Sequence, residues 1–530
     1  MLNLIAVLAG LLAAGPVRPP AAAITPARSS AQGLERRQAV AGAARQADSV
    51  VLRVVTTNDF HGALLPQRPS WSNGREVGGA AAIAGMMDRL QRECGCAEIR
   101  VDAGDVMQGT PISNLSHGRA TVEAYNLMGY AAAAVGNHEF DWTVDTLSAR
   151  MREARFGWLA ANIRTTAGTR PAWVQPWRMV RAGALKVALI GYASILTPST
   201  TRPDNVAALR FDGGAAIVDS LVGVARRDSA ADVVIVLAHE GGFCGQGGTD
   251  CHGEVFDLAA ALTVKPDLIV SGHTHSLVNA VANGIPIVQA RSSGTAVGIV
   301  DFVAAPGGGR TAHVRVETVY ADRERADTAV VRLIDGYRRS TDALTSRPVA
   351  TLASALRRGE DQYPLGNLLA DAYRAAAGAD AGIVNNGGIR ADLDSGVVTW
   401  GALFQVVPFQ NFVTRVTLTG ADLRAALEHA VGSQDAAAHV SGVRLTASRG
   451  APEGRRITAL AFENGRPVRD DAHYTLAVPD YLASGGSGYA MLRGRPAVNV
   501  GVTDLDAFIA YLRRLPQPVR APAEVRITGQ

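Results

Sequence analysis

Five short clusters in this 530-residue chain combine residue types that bind metals. They are Asp59-Phe60-His61, Gly104-Asp105, Gly136-Asn137-His138-Glu139 with Asp141 close behind, His239-Glu240, and Gly272-His273-Thr274-His275. Counting donors gives two sets. Asp59, His61, Asp105 and His275 make one, and Asp105, Asn137, His239 and His273 make the other, so the count closes only if Asp105 bridges. Mixed imidazole and carboxylate donors suit zinc, manganese, cobalt or iron, whereas magnesium prefers an all-oxygen shell. Two such ions about 3.5–4 Å apart clamp a phosphorus centre for in-line displacement, acidify a water and neutralise phosphate oxygens. Gly62, Gly104, Gly136 and Gly272 flank the donors, as expected where the backbone turns tightly beside a site.

One Asp-x-His or His-x-His pair carries little weight, because a lone histidine is usually packed or solvated. Here five of the 11 histidines (His61, His138, His239, His273 and His275) follow apolar, β-branched runs. Those runs are Val51–Thr56, Ile99–Val101, Ala131–Val135, Val233–Leu237 and Leu268–Val270, with a further one at Leu185–Ile190. Helical patterns at Ala80–Arg92 and Gly214–Arg226 lie between them. Continuous apolar runs alternating with helices predict buried strands in a layered α/β domain. Ligands in such sheets bind beyond the carboxyl ends of strands, so the clusters are expected to converge on one rim.

The remainder of the chain divides around that domain. Residues 1–23 read as an export signal: Leu4–Ala14 is apolar, Ala21-Ala22-Ala23 offers a cleavage site, and the run is shorter than the roughly 20 residues needed to span a bilayer. No Lys or Arg precedes the run, which departs from the usual signal. Residues 24–48 read as a flexible linker, 49–322 as the first domain, 323–347 as a charged linker helix, and 348–528 as a second α/β domain. In the last, Gly366–Ala377 and Gly420–Ala430 read as helices and Gly382–Val384 as a strand. Hydrophobic residues at 47% provide for large cores, and a net charge of +4 without a basic stripe argues against a nucleic-acid polymer as partner. No later stretch is apolar enough for membrane insertion, so the expected location is the periplasm or the extracellular space. Cys244 and Cys251, in a Gly-rich loop, favour a disulfide over a zinc site, while Cys94-Gly95-Cys96 reads as too tight for an unstrained bridge.

The first-domain clusters resemble the calcineurin-like metallophosphoesterases in order and spacing. That resemblance implies a four-layer αββα domain and a dyad of His138 and Asp141, in which an imidazole oriented by a carboxylate stabilises the phosphoryl group or protonates the leaving oxygen. The chemistry supports such a role independently, although His138 as a further metal ligand is the alternative. The second domain carries Pro364-Leu365-Gly366-Asn367, Asn385-Asn386-Gly387-Gly388-Ile389-Arg390, Pro408-Phe409 and Asp480-Tyr481 through Gly488-Tyr489. These resemble the C-terminal domain of the exported 5′-nucleotidase and UDP-sugar hydrolase family. The resemblance implies that Arg390 grips phosphate, that Asn385 contacts the nucleoside, and that Phe409 and Tyr481 sandwich the base.

Two departures stand out. Ser487 replaces the Asp that the resemblance implies for binding ribose hydroxyls, and Arg357, Arg358 or neither could be the second phosphate-side arginine, with Arg358 taken as the candidate. The implied activity is release of phosphate from nucleoside monophosphates by attack of water activated between two divalent ions. UDP-sugar or cyclic-nucleotide phosphodiester hydrolysis, a broad phosphomonoesterase, or a non-catalytic nucleotide-binding surface protein are the alternatives.

Overall fold

The computed structural model describes residues 50–529 apart from 246, 306–308, 360 and 433–437. The export signal and flexible linker expected over 1–23 and 24–48 lie outside the described residues.

The first domain is built on two six-stranded sheets. In one, Arg310–Thr318, Ala296–Ala304, Val50–Thr57, Ala97–Asp102, Ala132–Ala134 and Gly157–Leu159 lie side by side. In the other the order is Leu277–Ala282, Ile285–Ala290, Leu268–Ser271, Val233–Ala238, Leu185–Tyr192 and Trp177–Ala182. The sheets pack face to face through Leu52, Val54, Val101, Leu189, Ile235 and Val270. On the outer face of the first sheet, Val55 and Ala133 meet Ile83, Met86 and Leu90 of the helix Ala80–Cys94. On the outer face of the second, Val234 and Val236 meet Val218 and Val222 of the helix Ala215–Arg227. Both faces of the central strands are therefore covered, which explains why runs such as Val233–Ala238 and Leu268–Ser271 are apolar rather than alternating.

Strand register aligns the chemistry. Parallel pairing sets Thr57 opposite Asp102 and Asp102 opposite Ala133, so three strands of one sheet end together. In the other sheet Ala238 lies opposite both Ser271 and Tyr192. The antiparallel strands that complete each sheet were not among the expected ones. Leu277–Ala282, for example, alternates exposed and buried residues as an edge strand does and has no continuous apolar run.

The helix between the domains spans Thr328–Thr345, with the Asp327 carboxylate capping the N–H groups of Ala329 and Val330 at 2.9 Å. It is docked rather than free. Val330 and Ile334 enter the first-domain core, and the Tyr337 hydroxyl donates to Glu123 at 3.0 Å. The second domain has a five-stranded sheet, ordered Ala438–Ser441, Ala381–Asn385, His473–Pro479, Phe412–Thr419 and Ala497–Thr503. Helices Pro364–Ala377 and Asp504–Arg514 cover one face, and Gly420–Ala430 covers the other.

Both cysteine pairs are bonded. Cys244–Cys251 agrees with expectation, and Cys94–Cys96 forms through an unusual backbone: Gly95 takes a left-handed conformation (φ 58°) that turns the chain and sets the two Cα atoms 5.0 Å apart. No described helix is long and apolar enough to cross a membrane.

Candidate active site

The five clusters meet at one rim, where the two sheets end. Asp59, His61 and His275 form one group and Asp105, His239 and His273 another, with the candidate ligand atoms of each within 4.8 Å of one another. In the first group, His61 Nε2 lies 3.0 Å from His275 Nε2, and His275 Nε2 lies 3.5 Å from Asp59 Oδ1. In the second, His239 Nε2 lies 3.1 Å from Asp105 Oδ2 and 3.0 Å from Asn137 Oδ1, and His273 Nδ1 also lies 3.0 Å from Asn137 Oδ1. Asp105 Oδ2 stands between the groups, 3.8 Å from His61 Nε2.

The tautomers are set from behind. Nδ1 of His61 donates to the Gln108 carbonyl and Nδ1 of His239 to the Ala103 carbonyl, both at 2.8 Å, which leaves each Nε2 lone pair facing inward. Lone pairs and carboxylate oxygens crowded together in this way fit a cation. The electrostatics agree. Burial holds the His61 imidazole well below its usual range, in the neutral form that binds metal, and the nearby Arg390 charge adds to this. Burial also pulls His239 down, but the Asp105 and Asp59 carboxylates outweigh it and raise the ring to about 10, so this spot demands a positive charge.

The backbone carries part of the cost of this convergence. Asp59, His61, Asp105, His273 and His275 have φ of 48°, 52°, 57°, 76° and 57°, in the left-handed region that side chains other than glycine rarely adopt. At Gly136 a Cβ would fall 2.2 Å from Asp105 Oδ1, so only glycine fits that close approach.

Two supporting residues were not singled out from sequence. The buried Glu139 carboxylate accepts the N–H groups of Asp105, Val106, Met107 and Gly136 at 2.8–3.3 Å, joining two ligand loops. Asn58 donates to Asp59 Oδ2 at 2.7 Å and accepts the Ala290 N–H at 2.7 Å, tying the first sheet's ligand to the second sheet. Glu139 lies within the Gly136–Glu139 cluster, and a buried acid flanked by ligands was the available signal. Asn58 had none beyond its position beside Asp59.

His138 sits beside the ligands. Its Nδ1 is 2.7 Å from Asp141 Oδ2, its ring packs edge-on against His61 at 5.3 Å, and it stacks on Phe409 of the second domain at 5.4 Å. Burial opposes its charged form, but Asp141 and Asp105 together raise its pKa.

Arg390 also reaches across, with Nη2 3.1 Å from His61 Nε2 and 3.3 Å from His275 Nε2. Side chains of Asn114 and Gln108 fasten this junction by donating to the Pro408 carbonyl at 2.9 and 3.4 Å. Asn385 Nδ2 lies 3.5 Å from Ser487 Oγ, and Ser487 Oγ lies 3.1 Å from the Tyr481 hydroxyl. The Phe409 ring contacts His138 and also faces the Arg390 guanidinium at 5.8 Å, and Tyr481 lies toward Ser487. Arg358 donates to the Ile389 carbonyl beside Arg390 at 3.4 Å, whereas Arg357 turns outward to Asp394 at 2.7 Å.

Comparison with known proteins agrees with this arrangement. Residues 52–277 match the family model for the calcineurin-like phosphoesterase, and residues 343–494 match that for the 5′-nucleotidase C-terminal domain. The chain is 28% identical over 513 residues to the 5′-nucleotidase of Vibrio vulnificus (strain CMCP6), covering 87% of this chain and 90% of that one. It is 27% identical over 511 residues to Endonuclease YhcR of Bacillus subtilis (strain 168), but spans only 41% of that protein's length against 91% of its own. Among solved structures, the 5′-nucleotidase precursor from Thermus thermophilus superposes with a TM-score of 0.81 at 27% identity, covering 90% of this chain and 99% of that one. With both domain matches in order and the metal-ligand groups assembled at their junction, the chain belongs to the 5′-nucleotidase family of metal-dependent phosphoric ester hydrolases, a calcineurin-like phosphoesterase domain followed by a 5′-nucleotidase C-terminal domain.

Proposed function

We propose that this protein is an exported phosphohydrolase that releases phosphate from nucleoside 5′-monophosphates, using two divalent ions drawn from zinc, manganese, cobalt and iron. The observation that carries the reading is the crossing of Arg390 and Phe409 from the second domain onto His61, His275 and His138 of the first. A phosphate at the ligand groups would meet a planar, bidentate guanidinium there, and the attached nucleoside would extend into the second domain.

Asp59, His61, Asp105 and His275 would hold one ion, and Asp105, Asn137, His239 and His273 the other. When bound, the pair supplies Lewis acidity that acidifies water and screens the phosphate charge. His138, held by Asp141, gives a proton or positive charge to the leaving ribose oxygen. Arg390, with Arg358 behind it, binds the phosphate oxygens. Phe409 and Tyr481 bind the base, and Asn385 and Ser487 hydrogen-bond the nucleoside. Export is supported by the apolar segment of residues 1–23.

Ser487 favours a second, broader reading as a general phosphomonoesterase, because a hydroxyl holds ribose less firmly than a carboxylate. The test is phosphate release by purified protein with added manganese or cobalt, compared across AMP, UDP-glucose, cyclic AMP and p-nitrophenyl phosphate. A clear preference for AMP supports the nucleotidase reading. Faster turnover of UDP-glucose or cyclic AMP overturns it, and equal turnover of AMP and the aryl ester favours the broader one.

A further inference from the structure

The segment from Ser199 to Asn205 runs between the His138–Asp141 dyad and the second domain, and it bonds to both. Toward the dyad, Thr201 Oγ1 donates to Asp141 Oδ1 at 2.9 Å, the oxygen turned away from His138. The Thr200 carbonyl accepts from Asn137 Nδ2 at 3.2 Å, and Asn205 Nδ2 donates to the carbonyls of Phe140 and Asp141 at 2.8 and 3.0 Å. Toward the second domain, the Ser199 carbonyl accepts the Tyr481 hydroxyl at 2.5 Å, and Arg202 pairs with Asp480.

We propose that this segment is a positioning strap through which the docked second domain orients the dyad, with Thr201 as its positioning residue. Rotation of an aspartate about its terminal torsion is soft, so a carboxylate facing one histidine needs a second anchor to keep its oxygen in place. Thr201 supplies that anchor to Asp141. The threonine is only 2% exposed, so water does not readily replace its hydroxyl. Before Thr201 the Ser199 carbonyl is held by Tyr481, and after it the Arg202 side chain is held by Asp480 and the Asn205 side chain by the carbonyls of Phe140 and Asp141. Undocking the second domain would therefore release the anchor and blunt His138, even though His138 and Asp141 both lie in the first domain. The inference rests on reading His138 as the group that assists the leaving oxygen.

The test uses the full-length protein and two aryl esters, phenyl phosphate and p-nitrophenyl phosphate. The nitrophenolate leaves with little help, whereas the phenolate needs a proton. Thr201→Val removes the donor and keeps the shape. It should lower kcat for phenyl phosphate by about 10-fold more than for p-nitrophenyl phosphate, at unchanged KM and metal content. Thr201→Ser should restore the ratio. Asp480→Asn, which keeps the shape and removes the charge paired with Arg202, should shift the ratio in the same direction, and the double variant should fall short of the product of the singles. Equal losses on the two esters, no rescue by serine, or an Asp480→Asn ratio like that of wild type would each overturn the strap. Neither ester contains a nucleoside, so failure of the nucleotide reading would appear separately, as a wild type that releases phosphate from the aryl esters and not from AMP.

Discussion

Nη2 of Arg390 lies 3.1 Å from Nε2 of His61, although the two residues belong to different domains and are separated by 329 positions in the chain. A cation aimed at a metal-facing nitrogen has one natural use, which is to receive an anion bridging both. Arg390→Ala should therefore cut kcat/KM for AMP by about 10–100-fold, the scale of a charge-assisted hydrogen bond, while leaving metal content intact. Arg390→Lys should recover only part, since an ammonium lacks the bidentate fork. Full recovery by lysine would assign Arg390 a purely coulombic role.

Asp105 Oδ2 stands between the two ligand groups, 3.1 Å from His239 Nε2 and 3.8 Å from His61 Nε2. Asp105→Ala should reduce bound metal at both positions and cost more activity than any other single ligand change. Elemental analysis together with turnover checks this. A variant that keeps two ions and near-normal turnover would show that Asp105 does not bridge.

His138 should behave differently from the ligands. His138→Ala is expected to lower turnover by about 100-fold or more with metal content unchanged. Loss of one ion in the variant would instead make His138 a ligand.

Ser487 holds a left-handed backbone (φ 49°) and bonds to Tyr481 through both its N–H and its hydroxyl. Aspartate tolerates that conformation better than most side chains. Ser487→Asp should raise the preference for AMP over deoxy-AMP by about 5–30-fold, the difference between a charged and a neutral acceptor. An unchanged ratio would show that this loop does not read the sugar.

Asp504 provides a prediction for stability. It is buried at the start of the helix Asp504–Arg514, and burial pushes its carboxyl up to about 8. An aspartate in the unfolded chain titrates near about 3.9. The folded form thus holds the proton more tightly, so the contribution is complete below about 4 and is lost as pH rises through about 8. Asp504→Asn cannot ionise, so its thermal midpoint should fall less between about pH 5 and pH 8 than that of wild type. Parallel profiles for the two proteins would rule out this titration.

The candidate metal ligands were legible in sequence because they follow largely apolar, buried strands, most plainly Val233–Ala238 and Leu268–Ser271. The helix Gly420–Ala430 was legible from its periodicity, and its start is reinforced by reciprocal capping between Thr419 and Asp422. What escaped was long-range or weakly patterned. Edge strands such as Leu277–Ala282 mix exposed and buried residues. The docking of Thr328–Thr345 depends on Val330 and Ile334 finding a particular groove, and their spacing in sequence does not name it. Arg202 and Asp480 are 278 residues apart, and nothing local in either segment announces the partner. Thr201 looked like any loop threonine until Asp141 lay beside it.

The four amides gathered by Glu139 are main-chain groups, which among substitutions only a change to proline can remove. The loops that carry candidate ligands of both groups are thus pinned by one carboxylate, with the bond from the His138 N–H to Asp105 Oδ1 at 2.8 Å as a second tie. A change within either loop alters that loop first, whereas one change at position 139 loosens both together.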